Sequence, residues 1–162
     1  IRLIMSEFSH VDQNGRLRMV DVTSKASTQR KAKAKGWVKI SPLAVEQIQE
    51  NSVRKGNVLE TARLAGILAA KNSSQLIPLC HPLSLTHVDI ECLVMDEGIE
   101  IEALATAEGK TGVEMEALIA VSVAALTIYD MCKSIDRFME ITDIKLMEKS
   151  GGRSGSFSRS SD

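Results

Sequence analysis

The chain is poor in aromatic residues and has almost no net charge. One Trp, one Tyr and three Phe occur among 162 residues, so the hydrophobic core has to consist of Ala, Leu, Ile, Val and Met. Twenty Lys and Arg residues face 21 Asp and Glu residues, whereas a dedicated nucleic-acid binder usually has a clearly basic surface. The composition therefore argues against that class, but it leaves room for a small basic pocket that binds one phosphorylated ligand.

Cysteine and long apolar runs are scarce as well. The three cysteines are odd in number and widely spaced, which argues against a disulfide framework and favours a reducing compartment. No uncharged apolar run reaches the length of a membrane span, and the apolar start at 1–5 is too short for a signal peptide. We expect a cytoplasmic protein that binds neither membranes nor nucleic acids, with residues 1–4 lying upstream of a natural start at Met5.

The length of 162 residues fits one domain, with weakly patterned segments at both ends. The N-terminal segment, residues 1–34, mixes polar residues with a basic alternation that begins at Arg30, and we expect it to be partly disordered or ordered by a partner. Residues 150–162 are rich in Gly and Ser and are expected to form a flexible tail. Most of the regular structure is therefore predicted between these two segments.

Three helices are predicted from capping signals and apolar periodicity. Ser41-Pro42 supplies a cap and a first-turn proline for a helix that ends near residue 50. Asn57, with Glu60 three residues later, begins a second helix that runs to about residue 71. Residues 111–114 have the pattern of a capping box and begin the longest helix, 112–136, whose uncharged middle should be buried on several sides.

Strands alternate with these helices. A two-residue period predicts two long strands, 88–94 and 99–106, that are joined by a tight turn. A short strand at 37–40 precedes the first helix, and a last strand at 139–146 changes phase near Asp143. The resulting order becomes β-α-β-β-α-β when one helix is set aside. We therefore predict an α+β fold of the ferredoxin-like sandwich type, with an antiparallel sheet, helices on one face and an additional helix.

The loop Gly109-Lys110-Thr111 lies between a strand and a helix, which is where a nucleotide-binding loop would stand. The full motif requires another glycine five positions before Gly109, and that position holds Leu104. The loop is therefore interpreted as a strand-to-helix turn.

Cys80 and His81 lie between Pro78 and Pro82, which exclude a regular helix and stiffen the chain. A metal site would need further ligands such as Cys92, but adjacent residues rarely converge on one ion and no CxxC or HxxxH spacing is present. Cys80 can equally be a small buried residue. His81 is held in a way that suits proton transfer or phosphate contact, while a structural histidine bonded to a carbonyl oxygen is an equal alternative.

Two other places combine basic side chains with helix ends. Lys55 comes just before a helix whose first amides favour an anion, although a solvated lysine before a cap is the commoner arrangement. Asp130 and Lys133 are three residues apart near the end of the long helix, so they share one face. They form either a surface ion pair or, next to an uncharged stretch that desolvates both, an acid/base pair in a half-buried cleft.

The long helix also keeps its charged ends apart. Glu114 and Glu116 begin it, 14 to 16 residues before Asp130. At the rise of an α-helix this spacing corresponds to roughly 21–24 Å. One chain therefore cannot bring both ends to one small ligand, so if both ends are functional a symmetry-related subunit must supply one of them.

Several stretches of the sequence together form a highly specific pattern. The strongest are LCHPL at 79–83, KTGVEMEAL at 110–118 and AALTIYDMCK at 124–133. Shorter ones are MVDV at 19–22, KGNV at 55–58, TAR at 61–63 and KSGG at 149–152. With these motifs the chain closely resembles the cyclic pyranopterin monophosphate synthase family, which acts in molybdenum cofactor biosynthesis, and the resemblance extends from about Phe8 to Gly155.

The resemblance implies an enzyme rather than a binding protein. Members of this family convert 3′,8-cyclo-7,8-dihydro-GTP into cyclic pyranopterin monophosphate and release pyrophosphate, so a lyase acting on a nucleotide-derived small molecule is expected. A homohexamer, a trimer of dimers with active sites between subunits, is implied as well. No protein-bound cofactor or metal is expected, although Mg²⁺ can accompany the triphosphate.

Carried over residue by residue, the resemblance implies catalytic roles for Asp130, Lys133 and Lys55. It implies that the substrate is bound by two segments, whose residues are Leu79, Cys80, His81, Glu114, Met115 and Glu116. Lys133 is interpreted as a proton donor and Asp130 as its base or orienting partner, and these roles could be exchanged. Cations are also expected near the departing pyrophosphate, the candidates being Lys55, Arg63 and Lys149.

Two other classes of function stay open from the residues alone. One is an oligomeric module that holds an anionic nucleotide without chemistry, and the other is a purely structural oligomer. The structural reading leaves unexplained why an acid and a lysine border the apolar helix. Whether the protein consumes the cyclised dihydro-GTP or only retains it distinguishes the enzyme from the binding module.

Overall fold

The computed structural model describes residues 10–12, 14–153 and 155–160. Within these ranges the chain forms five strands and four helices. In chain order they are β1 (Thr28–Lys39), α1 (Pro42–Gln49), α2 (Val58–Lys71), α3 (Ser73–Leu76), β2 (Leu85–Met95), β3 (Gly98–Gly109), α4 (Glu114–Cys132), β4 (Glu140–Ser150) and β5 (Phe157–Ser158).

The strands form one sheet in the order β2-β3-β1-β4-β5, and every neighbouring pair is antiparallel. Because β1 lies between β3 and β4, the first four strands have the arrangement of a split β-α-β unit. Helices α2 and α4 pack on each other and against the strands. The predicted α+β class with a ferredoxin-like arrangement and an antiparallel sheet is therefore confirmed, and β5 adds a short edge strand.

The core is made largely of alanine, as the scarcity of aromatic residues predicts. Fully buried alanines lie on the inner faces of β1 and β3 and along α4, and small side chains let the helix approach the sheet closely; they include Ala32, Ala34, Ala103, Ala105, Ala107, Ala117, Ala120, Ala124 and Ala125. Larger side chains such as Ile99, Ile101 and Ile128 fill the remaining space. The alternation predicted for β2 and β3 is confirmed in their burial patterns.

Helix α4 is, among the described residues, the one long and apolar enough to cross a membrane by length and composition. More than half of that window is buried inside the protein, where α4 packs against α2, β1 and β3. These contacts are those of a core helix, and they agree with the prediction that its uncharged middle is covered on several sides.

The predicted N-terminal segment is wrong in its second part, because β1 begins at Thr28 rather than near residue 37. The basic alternation is a strand whose alanines face the core while its lysines face outward. Lys33 forms an ion pair with Glu102, and Lys35 donates to Glu100 at 2.9 Å, both glutamates being on β3. Alanine is a poor strand former by itself, so tertiary contacts rather than local propensity decide this strand. Residues 1–9 lie outside the described residues.

The predicted flexible tail is also partly ordered. Strand β4 continues to Ser150, and Phe157 and Ser158 pair with its outer edge. The phase change predicted near Asp143 is confirmed, since Asp143 has a positive φ of 54° and the register of β4 against β1 shifts beside it. Residues 154, 161 and 162 of the tail lie outside the described part of the chain.

Helix boundaries follow the capping signals in two cases and depart from them in one. Asn57 accepts a hydrogen bond from the amide of Glu60 at 3.0 Å, which confirms the predicted start of α2. Ser41 occupies the N-cap position before Pro42 as predicted, but its side chain makes no capping hydrogen bond, and its amide donates to Asp136 Oδ2 at 2.8 Å. The predicted helix 112–136 is shorter, because α4 spans Glu114–Cys132.

Candidate active site

The structure brings the six predicted substrate-binding residues together around one cavity of about 310 Å³. Leu79, Cys80 and His81 come from the segment between α3 and β2, and Glu114, Met115 and Glu116 form the first turn of α4. Residues before β1 cover another side of the same cavity, namely His10, Val20, Val22 and Lys25. Two segments that are 30 residues apart in sequence thus share one site.

His81 makes the structural contact that was one of its two predicted alternatives, from a position that lines the cavity. Its Nε2 lies 2.8 Å from the carbonyl oxygen of Val20, which is the structural bond to a carbonyl, and its side chain also lines the cavity. The flanking prolines keep the segment 77–84 out of the helices and strands, as predicted. His81 therefore both lines the site and fastens the N-terminal segment to it.

Cys80 has the properties of a neutral thiol. Burial raises the pKa of the Cys80 thiol, and the nearby carboxylate of Glu116 raises it further. A raised pKa disfavours the thiolate, which is the form that binds metals and attacks electrophiles. In the described ranges, the His, Cys, Asp and Glu side chains form no group of three or more that could hold a metal ion.

Glu114 does not close a capping box, and that prediction is wrong. Val113 occupies the N-cap position without a side-chain cap, so Glu114 is the first helical residue rather than the third. Its carboxylate Oε1 instead accepts from Lys149 Nζ at 2.9 Å, with both side chains about a quarter exposed. Strand β4 therefore places one of the predicted cations, Lys149, against Glu114, a residue that lines the cavity.

Glu116 is the most deeply buried acid of this cavity, with 4% of its surface exposed. Burial raises the pKa of Glu116, and the neighbouring Glu114 carboxylate acts in the same direction, while a backbone hydrogen bond opposes the shift. A carboxyl group with a raised pKa can hold a proton closer to neutral pH than an exposed glutamate.

The three predicted catalytic residues form a second cluster at the other end of α4. Asp130 Oδ2 accepts from Lys55 Nζ at 2.8 Å, and Asp130 Oδ1 accepts from Lys133 Nζ at 2.8 Å. Lys55 also donates to the carbonyl oxygen of Asp130 at 2.7 Å. Lys55 precedes α2 by three residues, so the packing of α2 against α4 places its ammonium beside the carboxylate.

Ion pairing, and not burial, shifts the pKa values of Asp130 and Lys133 in this cluster. Side-chain exposures of 45% for Lys55, 59% for Asp130 and 53% for Lys133 show that the expected half-buried cleft is wrong for the single chain. The hydrogen bonds from Lys133 and Lys55 lower the pKa of Asp130 to about 2. The hydrogen bond to Asp130 raises the pKa of Lys133. The resting cluster is therefore one carboxylate held between two ammonium groups.

A basic cavity of about 610 Å³ adjoins the first cavity and was missed by sequence reasoning. Among the described residues that line it, four are basic and none is acidic: Lys25, Arg30, Lys110 and Arg153. Lys25, Thr111 and Gly112 line both cavities. Arg63 is not part of this set, because its guanidinium pairs with Asp89 at 3.1 Å and lines a different cavity.

Arg30 is the buried cation of this group, with 8% of its surface exposed. Its guanidinium donates to the carbonyl oxygens of Gly109 and Gly151 at 3.4 and 3.1 Å. Gly151 and Gly152 have positive φ, and an added Cβ on Gly152 would lie 1.6 Å from the guanidinium, so the glycine pair leaves room for Arg30. The sequence did contain a signal for the inward position of Arg30, because the two-residue period of a strand places it on the same face of β1 as the buried Ala32.

Several known proteins are similar to this chain over most of its length. The model of the MoaC family matches residues 19–152, which include both clusters. A protein of Roseiflexus sp. (strain RS-1), 56% identical over 94% of this chain and 98% of its own length, is named cyclic pyranopterin monophosphate synthase. Proteins of the same name from Desulforapulum autotrophicum and Desulfitobacterium hafniense are 56% and 54% identical, over 94% of this chain and 95% and 94% of their own lengths. Family match, identity and coverage together show that this chain belongs to the MoaC family.

Proposed function

We propose that this chain is a cyclic pyranopterin monophosphate synthase, a lyase that converts 3′,8-cyclo-7,8-dihydro-GTP into cyclic pyranopterin monophosphate in molybdenum cofactor biosynthesis. The observation that carries the proposal is the cavity in which all six predicted substrate-binding residues meet, next to a second cavity lined by cations alone among its charged residues. These two adjacent cavities suit a substrate with an uncharged ring system at one end and a triphosphate at the other.

The acid/base chemistry of the reaction is assigned to the cluster of Lys55, Asp130 and Lys133. Rearranging the base and the sugar needs repeated proton transfers. The pKa of Lys133 is raised and that of Asp130 is lowered, so Lys133 starts as a proton donor and Asp130 as an ionised partner that orients it or accepts a proton. Lys133 is protonated in this ground state and therefore has a proton to donate, although its raised pKa also means that the proton leaves only when the contact with Asp130 changes.

Release of pyrophosphate is assigned to the basic cavity. Forming the cyclic phosphate leaves negative charge on the departing pyrophosphate, and fixed cations stabilise such a charge where it develops. The Thr28 hydroxyl oxygen supports this assignment, because it is buried beside Arg30 without a hydrogen-bond partner in the described structure. We propose no protein-bound cofactor, so any Mg²⁺ would arrive bound to the triphosphate.

A complete site is proposed to form between subunits of a homohexamer. The acid/base cluster and the substrate cavity stand at opposite ends of α4, which by helix rise are roughly 21–24 Å apart. A symmetry-related copy that packs antiparallel to α4 would bring its acid/base cluster to the cavity of the first subunit. The cytoplasm is the proposed location, because it is where a nucleotide triphosphate is available.

The proposed function is tested by incubating the purified chain with the cyclised dihydro-GTP and measuring pterin product and pyrophosphate. We expect stoichiometric formation of both. An otherwise intact protein that retains the nucleotide unchanged would instead support the anion-binding module. The matched variant Lys145→Ala removes an exposed lysine of β4 outside both clusters, and it is expected to turn over like the unmodified chain.

A further inference from the structure

Residues 19–25 cross the substrate cavity as an extended strap between the bridge at Val11–Leu17 and the start of β1. We propose that Lys110 is a positioning residue that holds this strap over the site, a proposal that rests on the proposed function. Lys110 belongs to the loop that the sequence analysis interpreted only as a strand-to-helix turn. The structure gives its side chain a further contact, with a main-chain group 87 residues away.

The strap is fastened to the body of the protein at two carbonyl oxygens. The carbonyl oxygen of Val20 lies 2.8 Å from His81 Nε2, and that of Thr23 accepts from Lys110 Nζ at 2.7 Å. The carbonyl oxygen of Thr23 is presented by a turn that two hydrogen bonds hold. Asp21 Oδ1 accepts from the Thr23 amide at 2.8 Å, and the carbonyl oxygen of Val22 accepts from the Lys25 amide at 3.0 Å. Lys110 therefore binds a preformed turn.

What the strap adds to the site explains why its position matters. Val20 and Val22 line the substrate cavity, and Lys25 lines both that cavity and the basic one. The strap is itself mostly exposed and lies outside the helices and strands, so few buried contacts hold it closed. Its two anchoring bonds then control how often these three side chains are in place for a ligand.

Lys110 also lines the basic cavity, so direct contact with a phosphate is the competing explanation. The two explanations differ in what happens before any ligand is present. A positioning role predicts that loss of the ammonium loosens the strap in the free protein. A purely phosphate-binding role predicts that the free protein is unchanged.

The test is hydrogen exchange of the unliganded full chain, read on peptides covering 19–25, with steady-state kinetics in parallel. In Lys110→Met we expect the amides of Thr23 and Lys25 to exchange about tenfold faster, with exchange of α4 unchanged. We expect KM to rise about tenfold while kcat changes by less than about twofold, because the strap affects formation of the bound state. Lys110→Arg should restore most of the protection, and Lys31→Met, which removes an exposed lysine of β1, should change neither readout.

A second variant tests the same contact from the other side. Asp21→Ala removes the acceptor that shapes the turn, so it should raise exchange of the strap as well. In the double variant with Lys110→Met, the increase in exchange of the strap should be clearly less than the sum of the increases in the two single variants, because both changes disrupt the same contact. Additive effects, or unchanged exchange in Lys110→Met, would overturn the positioning role. The exchange result needs no turnover, so an inactive parent chain would refute the proposed function while leaving the strap to be decided separately.

Discussion

At the residue scale, the candidate acid/base group is defined by charge pairing at the surface of the chain. Asp130 is bracketed by Lys55 and Lys133, each at 2.8 Å, and this pairing holds the pKa of its carboxyl at about 2. Asp130 is therefore ionised over the whole range in which the protein is expected to work. This protonation state is compatible with the proposed role as a base or an orienting group, whereas it is not compatible with a proton-donating role at rest.

Removing either lysine should raise the pKa of Asp130. In Lys55→Met or Lys133→Met one cation is lost, so the pKa should move from about 2 towards its ordinary value of 3.8. The stability that the ionised carboxylate contributes is present above its ordinary pKa and is lost as pH falls through its lowered pKa in the folded protein. In the variants the folded-state pKa lies closer to the ordinary value, so less stability is contributed and its loss is complete at a higher pH. Carboxyl-carbon NMR titration measures the shift. Lys145→Met, which removes the neighbour of Asp143, is the control and should leave Asp130 unchanged.

The same reasoning predicts the activity of Asp130→Asn. The amide keeps the shape of the side chain but cannot accept a proton, so turnover should fall on the order of a hundredfold or more. In the unmodified chain, any loss of activity on acidification that begins well above the lowered pKa of Asp130 would have to come from a different group, for which Glu116 with its raised pKa is the first choice. An active Asp130→Asn variant would remove Asp130 from the mechanism.

Residue types and motifs thus predicted which side chains meet in the cavity and in the charged cluster, but not how they are connected. The resemblance named Glu114, and its spacing from Thr111 suggested a capping box; only the fold reveals that Lys149, 35 residues later, takes its carboxylate. Arg30 was overlooked because a buried arginine is rare and the surrounding lysines suggested a solvated segment. Contacts of this kind depend on tertiary structure, which local pattern does not encode.

At the scale of elements, the close approach of α2 to α4 is what sets Lys55 beside Asp130. Gly66 makes that approach possible, since an added Cβ would lie 2.8 Å from the carbonyl oxygen of Ala120 and 2.3 Å from Ile90 Cδ1. The helices are held together by small side chains on both sides, including Ala62 and Ala124. The geometry of the acid/base cluster therefore depends on packing that involves none of its members.

Gly66→Ala should consequently destabilise the protein although alanine is the better helix former. Overpacking against the backbone of α4 is expected to cost about 1–3 kcal/mol, which exceeds the gain of about 1 kcal/mol in helix propensity. Urea unfolding at one fixed protein concentration measures the difference. Lys71→Ala, at the exposed end of the same helix, should change the free energy of unfolding by less than about 0.5 kcal/mol. A Gly66→Ala protein as stable as the parent would contradict this account of the packing.

The elements themselves were largely predictable where apolar periodicity is strong. The β2–β3 hairpin and the bounds of α1 and α2 follow from alternation, turn residues and caps. Strand β1 was predicted too short, because its inward residues are alanines that pack only when α4 covers them. The end of β4 and strand β5 were missed for a related reason, since two residues form a strand only beside an existing edge.

At the scale of the whole molecule, the separation of the two clusters along α4 has a direct consequence. The predicted substrate-binding residues and the proposed acid/base residues lie at opposite ends of a rigid 19-residue helix, so bending cannot bring them together. If the reaction needs both, a complete site must join the cavity of one copy to the Asp130 end of another. The proposed assembly then serves catalysis, and each isolated chain carries two half-sites.

Mixing two inactive variants should therefore restore activity. Glu114→Gln disables the cavity end and Lys133→Ala disables the acid/base end, so each protein alone should turn over poorly. In a hybrid pair, one shared site receives both altered residues and the other receives neither, and random mixing should recover about a quarter of the parental rate. Co-expression of the two variants and assay of the unsorted mixture measures it. Asp130→Asn mixed with Lys133→Ala is the matched control, because both changes lie at the same end and every shared site keeps one defect. No recovery in the first mixture would show that the site is completed within a single chain, and recovery in the control would show that the rescue does not depend on which end of α4 carries the change.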